Sequence, residues 1–439
     1  MTIPEAALAL RSRQISCREL TEHCLDQIAK LDPRLNAFLT VTAEQARAQA
    51  AALDRELADG QDRGPLHGIP IAHKDLIHTQ GIRTTSGSKF YADFVPADDA
   101  PVVSNLARAG AVLVGKTGLH ECAYGVTSEN PHFGVIRNPH DPERTPGGSS
   151  GGSAVAVACQ MAFQATGTDT GGSIRLPASY CGVVGLKPTY GLVDRSGIQP
   201  LGSSLDHIGP ITRSVACARL SLDAMAPRRP RSAPRPLAEL CIGLPENFYF
   251  AQCSPAIRDA VHRAASQAEA LGARVETVRV PDIASLNAVS RLILLVEASA
   301  LYEPYWSRRE DFGADVLALI DQGRLVPATA YVNAQRLRKS LAAEFRAVFH
   351  RVDFLFTPTT PATAQRIGAR QIELAGEMID ARVASTSLVR AINVIGFPAL
   401  SLPCGQENGL PFGLQIVARP YEEDLLFAIG EALEPRLAR

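Results

Sequence analysis

The apolar positions along the chain change period several times, and each change marks an element. Over 16–31, Leu20, Cys24 or Leu25, Ile28 and Leu31 recur every three or four residues behind Ser16. That spacing predicts an amphipathic helix with Ser16 as its N-cap. The alanine-rich stretch 42–59 predicts a second helix, and 101–109 a third. Short unbroken apolar runs at 69–72 and 111–114 read as buried strands. Residues 153–163 (SAVAVACQMAF) are apolar on nearly every side, so a helix there has no face to give to water and belongs in the core. Beyond 236 the alternation becomes regular. Strands at 241–244 and 275–280 flank a helix over 254–271, which Ser254 caps and Gly272 stops. Mostly helical sequence over 284–346 then leads to strands at 352–356, 399–402 and 413–417. Such alternation predicts an α/β fold whose sheet is covered by helices on both faces.

Composition alters this picture little. The 439 residues are 46% hydrophobic and 20% charged, enough apolar side chain for a large core. A net charge of −1 gives no long-range attraction to nucleic acid or to an anionic membrane, and neither is expected as a partner. Arg228, Arg229, Arg231 and Arg235 do cluster, but Pro227, Pro230, Pro234 and Pro236 interleave with them, which reads as an exposed connection. Nine scattered cysteines without a CxxC pair suggest neither a disulfide framework nor a zinc site, and fit buried thiols in a reducing cytoplasm. The N-terminus reads as a short amphipathic helix rather than a signal peptide. No apolar run reaches the roughly 18 residues of a membrane span.

Candidate chemistry is concentrated between 64 and 210, where glycine, serine, threonine and proline dominate. Two serine-bearing glycine turns lie there, PGGSSGGS at 146–153 and GTDTGGSIR at 167–175. Glycine lets a substrate approach the main chain closely, and consecutive peptide N–H groups form a concave donor site suited to an oxyanion. Neither turn has the Lys-Ser/Thr that a phosphate loop places after its last glycine, and a dinucleotide fingerprint fits poorly. A serine nucleophile needs a base. No His–Asp pairing is legible in the sequence, but a lysine serves if burial keeps its amine neutral. Lys74 is the candidate, because it follows the apolar run 69–72 and precedes a turn.

Taken together, these segments closely resemble the amidase signature family: GIPIAHKD at 68–75, GGSSGGSAVAVA at 147–158, GTDTGGSIRLPAS at 167–179, CGVVGLKPT at 181–189, SSLDHIGPITR at 203–213, FPALSLPCG at 397–405 and LPFGLQIVARP at 410–420. The resemblance implies one large domain over 1–439, an α/β fold with a central mixed, twisted sheet covered on both faces. It is densest over the catalytic core, 64–215, and weak over 225–350, a variable, mostly helical region on the substrate side. The family's Ser–cis-Ser–Lys triad falls on Ser173, Ser149 and Lys74, with Ser150 competing for the middle place and a cis peptide bond implied before Ser149. In the implied mechanism, neutral Lys74 takes a proton from Ser149, which relays one from the nucleophile Ser173. The N–H groups of Thr170, Gly171, Gly172 and Ser173 hold the oxyanion, and no metal or organic cofactor is needed. Ala123, Tyr124 and Gly125 align with a segment lining the acyl pocket. Ser150 and Arg175 are further candidates for substrate contact, Arg175 alternatively as a structural arginine paired with a carboxylate.

Two functions share this chemistry. The expected one is a free-standing hydrolase of the carbon–nitrogen bond of a small-molecule amide, alone or as a homodimer, with carbamates, ureas and esters left open. The alternative is the glutaminase component of a tRNA-dependent amidotransferase, the one called its A subunit. Such components carry, after a Phe-Gly pair, a basic stretch with an arginine that holds the glutamine α-carboxylate. The corresponding FGADVLALID at 312–321 contains no arginine. The chain is also somewhat short for that role.

Overall fold

Eleven strands hydrogen-bond into one sheet in the computed structural model, which describes residues 1–230 and 233–437. In chain order they are β1 (Phe38–Val41), β2 (Pro70–Lys74), β3 (Val112–Thr117), β4 (Gln164–Thr168), β5 (Val184–Lys187), β6 (Ile208–Thr212), β7 (Cys241–Pro245), β8 (Arg274–Val278), β9 (Phe354–Pro358), β10 (Ala399–Glu407) and β11 (Leu410–Ala418). Their order in space is β1-β3-β2-β4-β6-β5-β10-β11-β9-β7-β8. The pairs β3–β2, β2–β4, β9–β7 and β7–β8 are parallel and the rest antiparallel, so the sheet is mixed. Every residue of β2, β3, β4, β5, β6, β9 and β11 is buried, which is why runs such as 69–72 and 111–114 show no polar alternation. The edge strands β1 and β8 are short and partly exposed.

The flanking helices follow the sequence signals closely. The first predicted one spans Cys17–Leu35, and Ser16 forms a capping box with Glu19. Ser254 caps Pro255–Ala270, and Gly272, at a φ of +100°, follows its end. The apolar segment at 153–163 is helical only as α1 (Gly151–Ala158). It starts on its glycines and stops before Gln160, whose left-handed φ of 59° turns the chain towards β4. Residues 151–157 are all buried, as an all-apolar surface requires.

Two expectations need correction. The arginine–proline link is not simply exposed: Arg229 is buried against Asp223 and Asp424, and Arg235 pairs with Asp353, while Arg231 lies outside the described residues. Residues Ile283–Asp311 are long and apolar enough to match a membrane span by length and composition. Half of the most apolar 18-residue window in that stretch is buried, and the first part of the stretch, α2 (Ile283–Tyr302), packs on Ala314–Arg324, Ala328–Val348 and α3 (Arg390–Ile395), as a core helix does.

Gly152 sets how closely α1 approaches the sheet. A Cβ there would lie 2.5 Å from the carbonyl oxygens of both Ala37 and Gly118, which are backbone atoms that cannot swing aside. We expect Gly152→Ala to lower unfolding free energy by about 1–3 kcal/mol, as overpacking does, measured as a fall in the urea midpoint at unchanged slope.

Candidate active site

Strands β2 and β4 run parallel and adjacent, with His73 paired to Thr166, so their C-terminal ends bring Lys74 and Thr168 side by side. The N-terminus of α1 lies over those ends and delivers Ser149 and Ser150. Lys74 is fully buried, and its Nζ lies 2.8 Å from Ser149 Oγ, 2.9 Å from Ser150 Oγ and 2.8 Å from Thr168 Oγ1. No carboxylate lies within ion-pair distance of it among the described residues. Burial pushes the amine down to about 7 against the opposing pull of Asp169 and Asp206. A large fraction is therefore neutral near pH 7, and a neutral amine can accept a proton.

The hydroxyls around Lys74 are not equivalent. Ser150 Oγ donates to the Thr168 carbonyl (3.1 Å) and accepts from Thr168 N–H (3.3 Å), so it meets the lysine as an acceptor with its own proton already engaged. Ser149 Oγ has no partner other than Lys74 among the described residues, and its proton is free to move. This difference favours Ser149 over Ser150 as a relay. The Gly148–Ser149 peptide is cis. Ser173 sits next to this pair, its carbonyl accepting from Ser150 N–H at 3.2 Å. It is only half-buried, whereas Lys74 and Ser149 are fully buried, and its hydroxyl has no hydrogen-bond partner among the described residues.

The turn leading to Ser173 is organised by Asp169. Its carboxylate accepts from Gly172 N–H (2.7 Å) and Ile174 N–H (3.2 Å), and pairs with Arg175 Nε and Nη2, both at 3.0 Å. Burial raises the Asp169 pKa, but Arg175, then Lys187 and Asn393, outweigh it and hold the carboxyl below the usual range. Arg175 is itself fully buried. Its remaining donors reach the Val389 carbonyl, Gln415 Oε1 and Asn393 Oδ1. Of the two roles open to Arg175 the geometry supports bracing of the turn, with no donor left over for a substrate. The Gly172 N–H is likewise engaged with Asp169. Of the four expected oxyanion donors, Thr170, Gly171 and Ser173 keep N–H groups without a partner among the described residues. Thr170 is fixed by its hydroxyl, 2.6 Å from Asp206 Oδ1.

Ala123 and Tyr124 are buried, and Ala123 follows Cys122 in a left-handed pair (φ 57° and 52°). Gly125 packs under the His120 ring, 2.1 Å from where its Cβ would be. The Tyr124 carbonyl accepts from Arg382, whose guanidinium also lies over the ring at 5.0 Å. Thr386 joins this arginine to the nucleophile turn: its hydroxyl donates to the Arg382 carbonyl and accepts from Arg390, which packs on Gly171. Neither arginine was legible as part of the site, because they lie more than 200 residues from the two serine turns and belong to no glycine turn. Asp169 could have been found, since it stands within GTDTGGSIR. Asp75 braces its own turn through Thr85 and Lys116, and His73 is buried against Thr166.

A family model described as Amidase matches residues 19–427, and the chain belongs to this family, the amidase signature enzymes. The A subunit of a glutamyl-tRNA(Gln) amidotransferase from Moorella thermoacetica is 41% identical over 472 aligned residues, covering 99% of this chain and 96% of the relative. The same-named protein of Koribacter versatilis is 37% identical, covering 100% and 98%. Among solved structures, one described as an amidase superposes with a TM-score of 0.94 at 36% identity, covering all of both chains. Another, from a vestigial protein complex connected with the evolutionary origins of an s-triazine catabolic enzyme, gives 0.93 at 37% identity, covering 99% and 98%. These relatives overturn two expectations, that of a free-standing hydrolase of small-molecule amides and that of no macromolecular or nucleic-acid partner. The contrary argument rested on ten residues and a modest difference in length, and similarity across the whole chain outweighs it.

The Asp169–Arg175 pair gives a test of how the turn is held. Arg175→Met leaves a buried carboxylate without its counter-charge, and we expect a loss of about 3–5 kcal/mol in urea unfolding. Arg175→Lys should recover only part, because an ammonium cannot reproduce the bidentate contact.

Proposed function

We propose that the chain is the glutaminase component of a tRNA-dependent amidotransferase, releasing ammonia from an amide through an acyl-enzyme on Ser173. The observation that carries this reading is the similarity of about 40%, spanning nearly the whole of both chains, to the A subunits of such amidotransferases. Those relatives are named as parts of an amidotransferase for glutamyl-tRNA(Gln), so further subunits and the charged tRNA are the partners proposed here.

The side chains gathered around Lys74 support the following route for the chemistry. Neutral Lys74 takes the Ser149 proton, Ser149 takes that of Ser173, and the Ser173 oxygen bonds to the amide carbon. The free N–H groups of Thr170, Gly171 and Ser173 are placed to stabilise the resulting oxyanion. Collapse of the tetrahedral adduct breaks the carbon–nitrogen bond, and the proton held by the relay passes to the leaving nitrogen. Water then adds to the acyl-enzyme by the same relay and frees the acid.

Because the base must be neutral, kcat/KM for amide hydrolysis should fall tenfold per pH unit below about 7 and level off above it. Removal of the base in Lys74→Ala should lower the rate by about 10²- to 10⁴-fold and abolish that inflection. The decisive experiment measures ammonia release from glutamine by the purified chain, with and without its partner subunits and glutamyl-tRNA, using Ser173→Ala as control. Weak release by the chain alone, strongly stimulated by the partners and lost in the variant, is expected. Indifference to partners and tRNA, with full turnover by the lone chain, would overturn this reading.

A further inference from the structure

Three arginines are buried among the described residues: Arg175, Arg229 and Arg390. Two of them lie on carboxylates, Arg175 on Asp169 and Arg229 on Asp223 and Asp424. Arg390 has no carboxylate within 4 Å among the described residues. Its Nε and Nη2 reach only Thr386 Oγ1, at 3.4 and 3.1 Å, and its Nη1 has no hydrogen-bond partner among the described residues. A buried guanidinium without a counter-charge is an exception in proteins and asks what completes it.

Its position suggests the answer. Arg390 opens α3, and Nη1 lies 3.1 Å from the place a Cβ on Gly171 would occupy, against the turn that presents Ser173. Two further guanidiniums add positive charge to the same region. Arg382, also without a carboxylate within 4 Å among the described residues, lies over Tyr124 and lines an open cleft of about 770 Å³ together with Gly125, Thr127 and Asp315. Arg291 projects from the exposed side of α2. Burial first, then Arg382 and Arg291, push the Arg390 guanidinium down to about 10, which leaves it charged at neutral pH. Positive charges facing a buried guanidinium repel it until an anion joins them.

We propose that Arg390 and Arg382, with Arg291 at the margin, form a carboxylate subsite beside the Ser173 turn, and that the amide opened there carries a carboxylate on its acyl fragment. This rests on the reading of Ser173 as the acyl acceptor, and glutamine is one member of the class. The arginine missing from 312–321 is then replaced by a different segment of the chain, 382–390.

The test compares kcat/KM of the full chain, with and without partner subunits, on amides bearing a carboxylate (succinamate, glutaramate, glutamine) and on uncharged amides of equal length (butyramide, valeramide). Wild type should prefer the carboxylated series by ~100-fold, the loss expected when charged hydrogen bonds have no partner. Arg390→Met should erase that preference, lowering kcat/KM on the carboxylated series far more than on the uncharged one, and Arg390→Lys should restore part of it. Calorimetry on Ser173→Ala adds a readout free of turnover, in which glutarate should bind and glutaramide should not. Equal use of both series by wild type, an equal loss on both in Arg390→Met, or equal binding of glutarate and glutaramide would overturn the subsite. A preference for carboxylated amides that ignores glutamine and partners would instead sink the amidotransferase reading and leave the subsite standing.

Discussion

The candidate site turns on one buried amine that has been denied a carboxylate. Lys74 ends a strand whose every residue is buried, and the atoms facing its Nζ are three hydroxyl oxygens. A carboxylate in their place would have fixed the ammonium form. Hydroxyls can donate or accept, so they solvate the neutral and the charged amine alike and leave burial to decide the balance. The acids that do pull towards the charged form, Asp169 and Asp206, are occupied elsewhere, one with Arg175 and the other with Thr170. The same three hydroxyls are graded by their other contacts. Ser150 is tied to the Thr168 backbone, and Ser149 is left with a mobile proton.

A second constraint holds the nucleophile turn against this amine. Glycines at 171 and 172 let the backbone curl, but they have no side chains with which to hold the curl. The Asp169 carboxylate supplies that hold from inside the turn, and Arg175 carries it on to Asn393 and Gln415 on α3 and β11. The C-terminal quarter of the chain therefore does more than complete the sheet. Through Arg175 it fixes where the peptide N–H groups of Thr170, Gly171 and Ser173 point, and through Arg390 it sets a positive charge against the same turn.

Much of this was open to reading along the chain. Buried strands such as β2 and β3 declare themselves through short apolar runs, because sheets covered on both faces leave no position for polar alternation. Ser16 and Ser254 announce their helices because capping is a contact made within three residues. The two serine turns and Lys74 stood out for a similar reason, since glycine density and a lysine behind an apolar run are local signals. Other features were misread or missed. The helix expected through 163 ends at Ala158, the arginine–proline link is partly anchored, and the helical stretch Ile283–Asp311 turned out apolar enough to match a membrane span by length and composition. The absence of an arginine at 312–321 was given more weight than a ten-residue window can bear.

The sequence by itself determined most of the elements, the family and the three polar side chains proposed for the site, because each is written in spacings of a few residues or in a contiguous motif. Only the tertiary structure decided which hydroxyl beside Lys74 keeps a free proton, that Arg175 faces inward to Asp169, and that Arg382 and Arg390 stand beside Tyr124 and Gly171. Those outcomes depend on side chains from strands and helices up to some 260 residues apart meeting in a space from which water is excluded. The state of a lysine or the partner of an arginine is fixed by what surrounds it in three dimensions, and no local pattern along the chain carries that information.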